Sequence, residues 1–218
     1  MNEQNEGDKS MVTETLFRKE RKKSGGAPKC GCLGLPCVCS TCQHKPRLNV
    51  NKAGTPGFRA PEVLLKSSDQ TPLIDIWAAG VTFLSLLCHQ HPVMRPADDE
   101  EAIAQIAVLF GTAPLQHYAD KIGVSLLAEP VFPGLDIVKF VRAVREGVIT
   151  KGDQLRCTSC KILFYGNSQG ICLCKSTEET SLSQLSPEER QVFEVLLRCL
   201  TVDPSERYSA EMLKNYFY

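Results

Sequence analysis

The densest concentration of reactive side chains is a run of cysteines near the start of the chain. Five of the eleven cysteines fall within the thirteen residues from Cys30 to Cys42, among Gly, Pro and small apolar residues. So short a segment has no core in which thiols could pack, whereas closely spaced thiolates suit a tetrahedral Zn²⁺. We expect Zn²⁺ bound by Cys30, Cys32, Cys39 and Cys42, with Cys37 as an alternative to Cys32 or Cys39. Four protein ligands leave no open position, which predicts a structural role.

A second group of cysteines lies in the C-terminal half. Cys157 and Cys160 are separated by eleven residues from Cys172 and Cys174. This arrangement is a second candidate zinc site, and the alternative is a hairpin, marked by Leu163, Phe164, Tyr165 and Ile171, that carries incidental cysteines. Two histidines, His89 and His91, stand beside Cys88. They follow a long apolar helix, and we expect them to cap its C-terminus or to face solvent rather than to bind metal.

Composition excludes several classes of protein. The 218 residues are 43% hydrophobic, which is ordinary for a globular chain and excludes a mainly disordered or collagen-like one. The 25 basic and 25 acidic residues balance, so we expect no direct contact with nucleic acid. The longest apolar run, residues 76–88, is too short to span a bilayer, and residues 1–10 do not resemble a secretory signal. We therefore expect no membrane association and a reducing compartment, in which clustered cysteines bind metal more often than they form disulfides.

Helical patterns dominate residues 53–218. Apolar periodicity and helix start signals predict helices over residues 71–88, 98–110, 134–145, 186–200 and 209–216. The fold class is therefore mainly α. We divide the chain into residues 1–29, a basic segment predicted to be disordered, residues 30–52, which are Cys-rich, and residues 53–218, a helical unit with a Cys-rich insertion at about 151–185.

Three short motifs occur in a fixed order within the helical unit. They are GTPGFRAPE at residues 54–62, DIWAAG at residues 75–80 and DPSER at residues 203–207. Together they resemble the C-terminal lobe of a protein kinase: the end of the activation segment, the central helix and the turn before the last helix. The fold implied is the C-terminal half of a kinase-like C-lobe with Cys-rich inserts and a disordered N-terminus.

The resemblance narrows to the cell-division-cycle seven-related kinases, which initiate DNA replication. The sequences AGTPGFRAPEVL and DIWAAGVTFLSLLC are similar to that family, and a Cys-rich insert precedes AGTPG in both. The resemblance implies a scaffold ion pair between Glu62 and Arg207, and a scaffold role for a buried Asp75 that accepts hydrogen bonds from the catalytic loop. It also implies that Thr55, Phe58 and Arg59 bind the substrate. An alternative for Arg59 is a purely structural arginine.

The same resemblance implies an activity and its partners. Such a kinase transfers the γ-phosphate of ATP, held with Mg²⁺, to Ser or Thr in acidic contexts on replication proteins, in the nucleus and under a regulatory activating subunit. The sequence contains no Gly-rich phosphate loop, ATP-binding Lys, catalytic HRD Asp or metal-binding DFG Asp, so we expect the 218-residue chain alone to be inactive. The alternative function is a non-catalytic, zinc-stabilised fragment that binds the regulatory subunit.

Overall fold

A computed structural model describes residues 18–21, 54–128, 131–147, 154–156, 163–165, 173–175 and 181–217. Within them the helices are α1 (Pro61–Leu64), α2 (Leu73–Leu87), α3 (Asp99–Phe110), α4 (Thr112–Lys121), α5 (Ile137–Arg145), α6 (Pro187–Cys199) and α7 (Ala210–Phe217). The strands are β1 (Arg18–Arg21), β2 (Val124–Leu127), β3 (Gln154–Arg156) and β4 (Leu163–Tyr165). The predicted mainly α class is confirmed. In the part of the chain so described, no helix is both long and apolar enough to cross a bilayer.

Helix α2 is the centre of the hydrophobic core. Trp77, Val81 and Leu84 lie on one side of it and are completely buried. A Cβ atom added to Gly80 would lie only 2.8 Å from Cβ of Cys199 on α6. Glycine at this position therefore lets the two helices approach more closely than any other residue would allow.

Side-chain caps explain where several helices begin. Asp98 Oδ1 accepts a 2.7 Å hydrogen bond from the backbone N–H of Glu101 and starts α3. Ser186 and Glu189 form a reciprocal capping box at the start of α6, which satisfies backbone N–H groups that lack partners within the helix. The predicted helices accordingly begin within about three residues of the observed ones. Helix α4 was not predicted, and its Pro114 is tolerated because it stands in the first turn.

The strands differ from the predictions at the N-terminal end of the chain. No regular structure was expected within residues 1–29, but β1 pairs antiparallel with β2, with Arg18 opposite Leu127 and Arg21 opposite Val124. A four-residue charged strand has no local signal, because the distant β2 supplies its hydrogen bonds. The remainder of residues 1–29 lies outside the described part. Strands β3 and β4 pair antiparallel, with Leu155 opposite Phe164, so residues 163–165 do lie in a strand, while Ile171 lies outside the described part.

The Cys-rich insertion is anchored where α5 begins. The backbone N–H of Asp136 donates to Leu173 O at 2.8 Å, and that of Lys175 donates to Gly134 O at 3.0 Å. The buried Asp136 carboxylate then accepts hydrogen bonds from the backbone N–H groups of Lys139 and Ser181, each at 3.1 Å. One carboxylate thus caps α5 and fixes the chain where it leaves the insertion.

Asp136 predicts that the fold loses stability in acid. Burial raises the pKa of its carboxyl, but hydrogen bonds from Lys139 and Ser181 outweigh burial and leave the pKa below its usual value of 3.8. A carboxyl whose pKa is lowered by folding stabilises the protein above the unfolded pKa, and this contribution is lost as the pH falls through the folded pKa. We expect the urea midpoint to fall from about pH 5 downwards, and Asp136→Asn to lower the midpoint at pH 7 and to flatten this acid decline. The exposed Glu100→Gln is the control, and an Asp136→Asn profile parallel to the wild type would contradict the assignment.

Candidate functional site

The loop from Gly54 to Ala60 carries the predicted substrate-binding residues on an irregular backbone. Gly54 and Gly57 have φ of 88° and 85°, and the N–H of Phe58 donates to Thr55 O at 3.0 Å, which closes a turn. A Cβ atom on Gly57 would lie 2.7 Å from Met94 O, so glycine allows this loop to lie directly against the segment that follows α2.

The structure places two of the predicted binding residues at the surface of this loop. Thr55 is exposed, and Phe58 is half-buried. The Phe58 ring centroid lies 5.7 Å from that of the exposed His91. Thr55 and Phe58 therefore present an exposed hydroxyl and a half-buried ring within one turn, and their role in binding a substrate stays a prediction. His89 is also exposed, and neither histidine belongs to a metal-ligand cluster in the described ranges.

Arg59 reaches from the loop to the first turn of α3. Its Nη1 donates to Asp99 Oδ1 at 2.8 Å, and its Nε donates to Gly54 O at 3.0 Å. The side chains of Arg59 and Asp99 are 17% and 12% exposed. The guanidinium therefore braces the loop against α3 and still reaches solvent. Asp99 was not among the predicted site residues, because the acidic run at residues 98–101 indicated only a helix start.

A buried ion pair fixes the helix that follows the loop. Arg207 Nη1 donates to Glu62 Oε1 at 2.7 Å, and Nη2 donates to Glu62 Oε2 at 2.9 Å. The remaining guanidinium N–H groups donate to the carbonyls of Thr201, Leu73 and Val202. Both charged side chains are almost fully buried, so every donor of the arginine fork is satisfied within the protein. The scaffold role itself stays a prediction.

Asp75, which was expected to be buried, lies at the surface. Its face of α2 includes Ala79, Thr82 and Leu86, all of them exposed, and Leu86 is 67% exposed. Spacings of four, three and four residues place these positions along one side of a helix. The described residues therefore bury one side of α2 and leave the Asp75 side open. The expectation of burial was wrong for this chain, because no described backbone group covers the carboxylate.

Most of the predicted zinc ligands lie outside the residues that the structure describes. Seven of the eight proposed ligands lie there: Cys30, Cys32, Cys39, Cys42, Cys157, Cys160 and Cys172. The eighth, Cys174, is disulfide-bonded. Cys88 and Cys199 are buried free thiols. Burial raises the pKa of Cys88 to about 12 and also raises the pKa of Cys199, so both stay protonated and unreactive at neutral pH.

A further charged cluster precedes the last helix. Lys121 Nζ donates to Asp203 Oδ2 at 2.7 Å and to Ser205 Oγ at 2.6 Å. Asp203 Oδ1 accepts from both the backbone N–H and the hydroxyl of Ser205, at 2.8 Å each. Asp203 is buried, which raises the pKa of its carboxyl, but the bonds from Lys121 and Ser205 leave it below its usual value. The cluster stabilises the turn that positions Arg207 to bind Glu62.

The sequence of this chain is similar to those of known proteins. Residues 29–218 match the family model described as the protein kinase domain. The chain belongs to the protein kinase family. It is 31% identical over 229 residues to the Drosophila melanogaster "non-specific serine/threonine protein kinase Cdc7", an alignment covering 96% of this chain and 32% of that protein. It is 37% identical over 135 residues to the human "Cell division cycle 7-related protein kinase", covering 62% of this chain and 24% of that protein.

The mouse protein of the same name is 40% identical over 128 residues, which cover 59% of this chain and 23% of the relative. The chain is thus a homologue of the Cdc7-related serine/threonine kinases and spans a third or less of the length of these three relatives. The predicted resemblance is confirmed at this level.

Proposed function

We propose that this chain is the substrate-binding and scaffold portion of a replication-initiating serine/threonine kinase. The observation that carries the proposal is the loop from Gly54 to Arg59, which is held between the buried Glu62–Arg207 pair and the Asp99 end of α3. The parent enzyme transfers the γ-phosphate of ATP to Ser or Thr followed by acidic residues on replication proteins. In it, Thr55 and Phe58 line the position of the phosphoacceptor and its neighbour, and Arg59 attracts an anion there.

ATP and Mg²⁺ belong to the family's chemistry, and the described residues do not fit them. No cluster of three or more metal-ligating side chains occurs among those residues. The sequence also lacks the Gly-rich loop, the ATP-binding Lys and the HRD and DFG aspartates. We therefore assign no step of phosphoryl transfer to this chain and expect it to be inactive alone. The exposed Asp75 face of α2 is where we place the catalytic loop of the parent kinase.

We propose a zinc site in the first cysteine group alone. Thiolates of Cys30, Cys32, Cys39 and Cys42 are a suitable donor set for structural Zn²⁺. The second site requires a thiolate at Cys174, and that sulfur is in a disulfide, so metal binding there would first require reduction. We infer that the first site stiffens an insert that binds the regulatory activating subunit in the nucleus. The balanced net charge supports a protein partner over nucleic acid.

The second candidate function is a non-catalytic fragment that binds the regulatory subunit. The exposed apolar Leu86 on α2, at 67% exposure, favours this function because it offers a contact for a partner. A subunit that binds the wild-type chain but not Leu86→Asp would favour the fragment. Both functions use the first cysteine group, so only a subunit that binds Leu86→Asp as tightly as the wild type would favour the kinase insert.

Peptide binding tests the substrate-loop assignment. The measurement is the anisotropy of fluorescein-labelled serine peptides that differ only in the residue after the serine, which is phosphoserine, Glu or Ala. We expect the phosphoserine peptide to bind more tightly than the Ala peptide, with the Glu peptide between the two, and Arg59→Ala to remove this preference, since the guanidinium supplies the charge. The control is Arg142→Ala, which removes an exposed arginine on α5. Equal affinity of Arg59→Ala and wild type for the anionic peptides would contradict the proposal.

A further inference from the structure

The anion-binding side of Arg59 is already occupied within this chain. Its Nη1 donates to Asp99 Oδ1 at 2.8 Å, across 40 residues of sequence. The pair is partly buried, at 17% and 12% side-chain exposure, which makes it stronger than a fully exposed surface pair. Arg59 Nε is used by Gly54 O. In the described part of the chain, Nη2 has no hydrogen-bond partner.

Asp99 occupies the guanidinium nitrogen of Arg59 to which a substrate anion would bind. Arg59 follows directly after Phe58 in the loop, so the guanidinium and the apolar surface belong to the same short segment. An anion on the residue after the phosphoacceptor must either replace the Asp99 carboxylate at Nη1 or bind beside it at Nη2. In both cases the negative charge of Asp99 opposes the incoming one.

We propose that Asp99 is a specificity-determining residue that makes the Arg59 site select a phosphorylated residue over a carboxylate. The proposal rests on the proposed function, in which Arg59 faces the residue after the phosphoacceptor. A substrate carboxylate that displaces Asp99 exchanges one carboxylate for an equivalent one and gains little. A phosphate brings a charge of about −1.5 to −2 and three acceptor oxygens, which can bind Nη1 and Nη2 together and outcompete Asp99.

Asp99→Asn is the direct test, made with the same three peptides and the full 218-residue chain. Asparagine keeps the size of the side chain and removes the charge that competes for Arg59. We expect the Glu peptide to bind Asp99→Asn about five- to tenfold more tightly than it binds the wild type. The affinity for the Ala peptide should not change, so the ratio of phosphoserine to Glu affinity should fall. Glu100→Gln removes the same charge from the same helical turn, has no contact with Arg59, and should resemble the wild type.

The outcomes separate this proposal from the one on which it rests. If Arg59→Ala keeps the preference for anions, the substrate-loop assignment fails, and the role of Asp99 fails with it. If Arg59→Ala loses the preference for anionic peptides but Asp99→Asn does not bind the Glu peptide more tightly, only the role of Asp99 is overturned. The wild type provides a test that needs no variant: equal affinities for the phosphoserine and Glu peptides would also overturn it.

Discussion

Arg207→Ala should lower the free energy of unfolding by about 3–5 kcal/mol, the largest loss we expect from any single substitution of a charged residue. The substitution leaves Glu62, which is 1% exposed, as a buried carboxylate without its cation. It also removes the hydrogen bonds that the guanidinium donates to the carbonyls of Leu73, Thr201 and Val202. Urea unfolding followed by circular dichroism measures the loss. Arg207→Lys should recover only part of it, because an ammonium cannot form the planar bidentate contact.

A double-mutant cycle distinguishes this pair from a general effect of truncation. Removing both partners, Glu62→Ala with Arg207→Ala, should cost less than the sum of the single variants, since no buried charge then remains unpaired. The exposed Arg142→Ala should leave the urea midpoint almost unchanged. Strictly additive losses for Glu62 and Arg207 would show that the ion pair does not couple α1 to the turn before α7.

Gly57→Ala should be the second most damaging change, with a loss of about 2–4 kcal/mol and weakened binding of all three peptides. The residue has φ of 85°, and a methyl group there would lie 2.7 Å from the Met94 carbonyl oxygen. The backbone must therefore shift, and the loop from Gly54 to Ala60 shifts with it. The measurements are the urea midpoint and the peptide dissociation constants.

Gly54→Ala is the matched control for Gly57→Ala. Gly54 has φ of 88°, but the nearest atom to an added Cβ is Arg59 Cγ at 3.7 Å, an ordinary contact. Alanine at residue 54 therefore introduces backbone strain without a steric clash and should cost about 1 kcal/mol. Equal losses for the two variants would mean that the approach of Gly57 to Met94 does not shape the loop.

Features that depend on local sequence were predictable. The start of α6 follows from Ser186, Pro187 and Glu189, which satisfy the first N–H groups of that helix. The existence of α2 follows from its strongly apolar run, but that run is apolar on nearly every side and does not show which face is buried. Helix α4 was not predictable from its local sequence, because Gly111 and Pro114 favour a loop unless the surrounding core stabilises the helix.

Features that depend on distant partners were not predictable from local patterns. Glu62 and Arg207 are 145 residues apart, and only the resemblance to kinases paired them. Arg59 and Asp99 are 40 residues apart, and the acidic run alone did not show that one carboxylate would leave solvent for a guanidinium. The exposure of Asp75 was missed for the opposite reason. The resemblance describes a whole lobe, whereas the described residues cover only one side of α2.

We propose above that this chain acts as part of a larger kinase that supplies the ATP-binding and catalytic groups. The most direct measurement is the intact mass of the endogenous protein, captured with an antibody to residues 30–42 and followed by peptide sequencing upstream of Met1. We expect a species heavier than 24.1 kDa that contains a catalytic HRD Asp and a DFG segment. A dominant species near 24.1 kDa would contradict it and would leave the partner-binding fragment as the function of this chain.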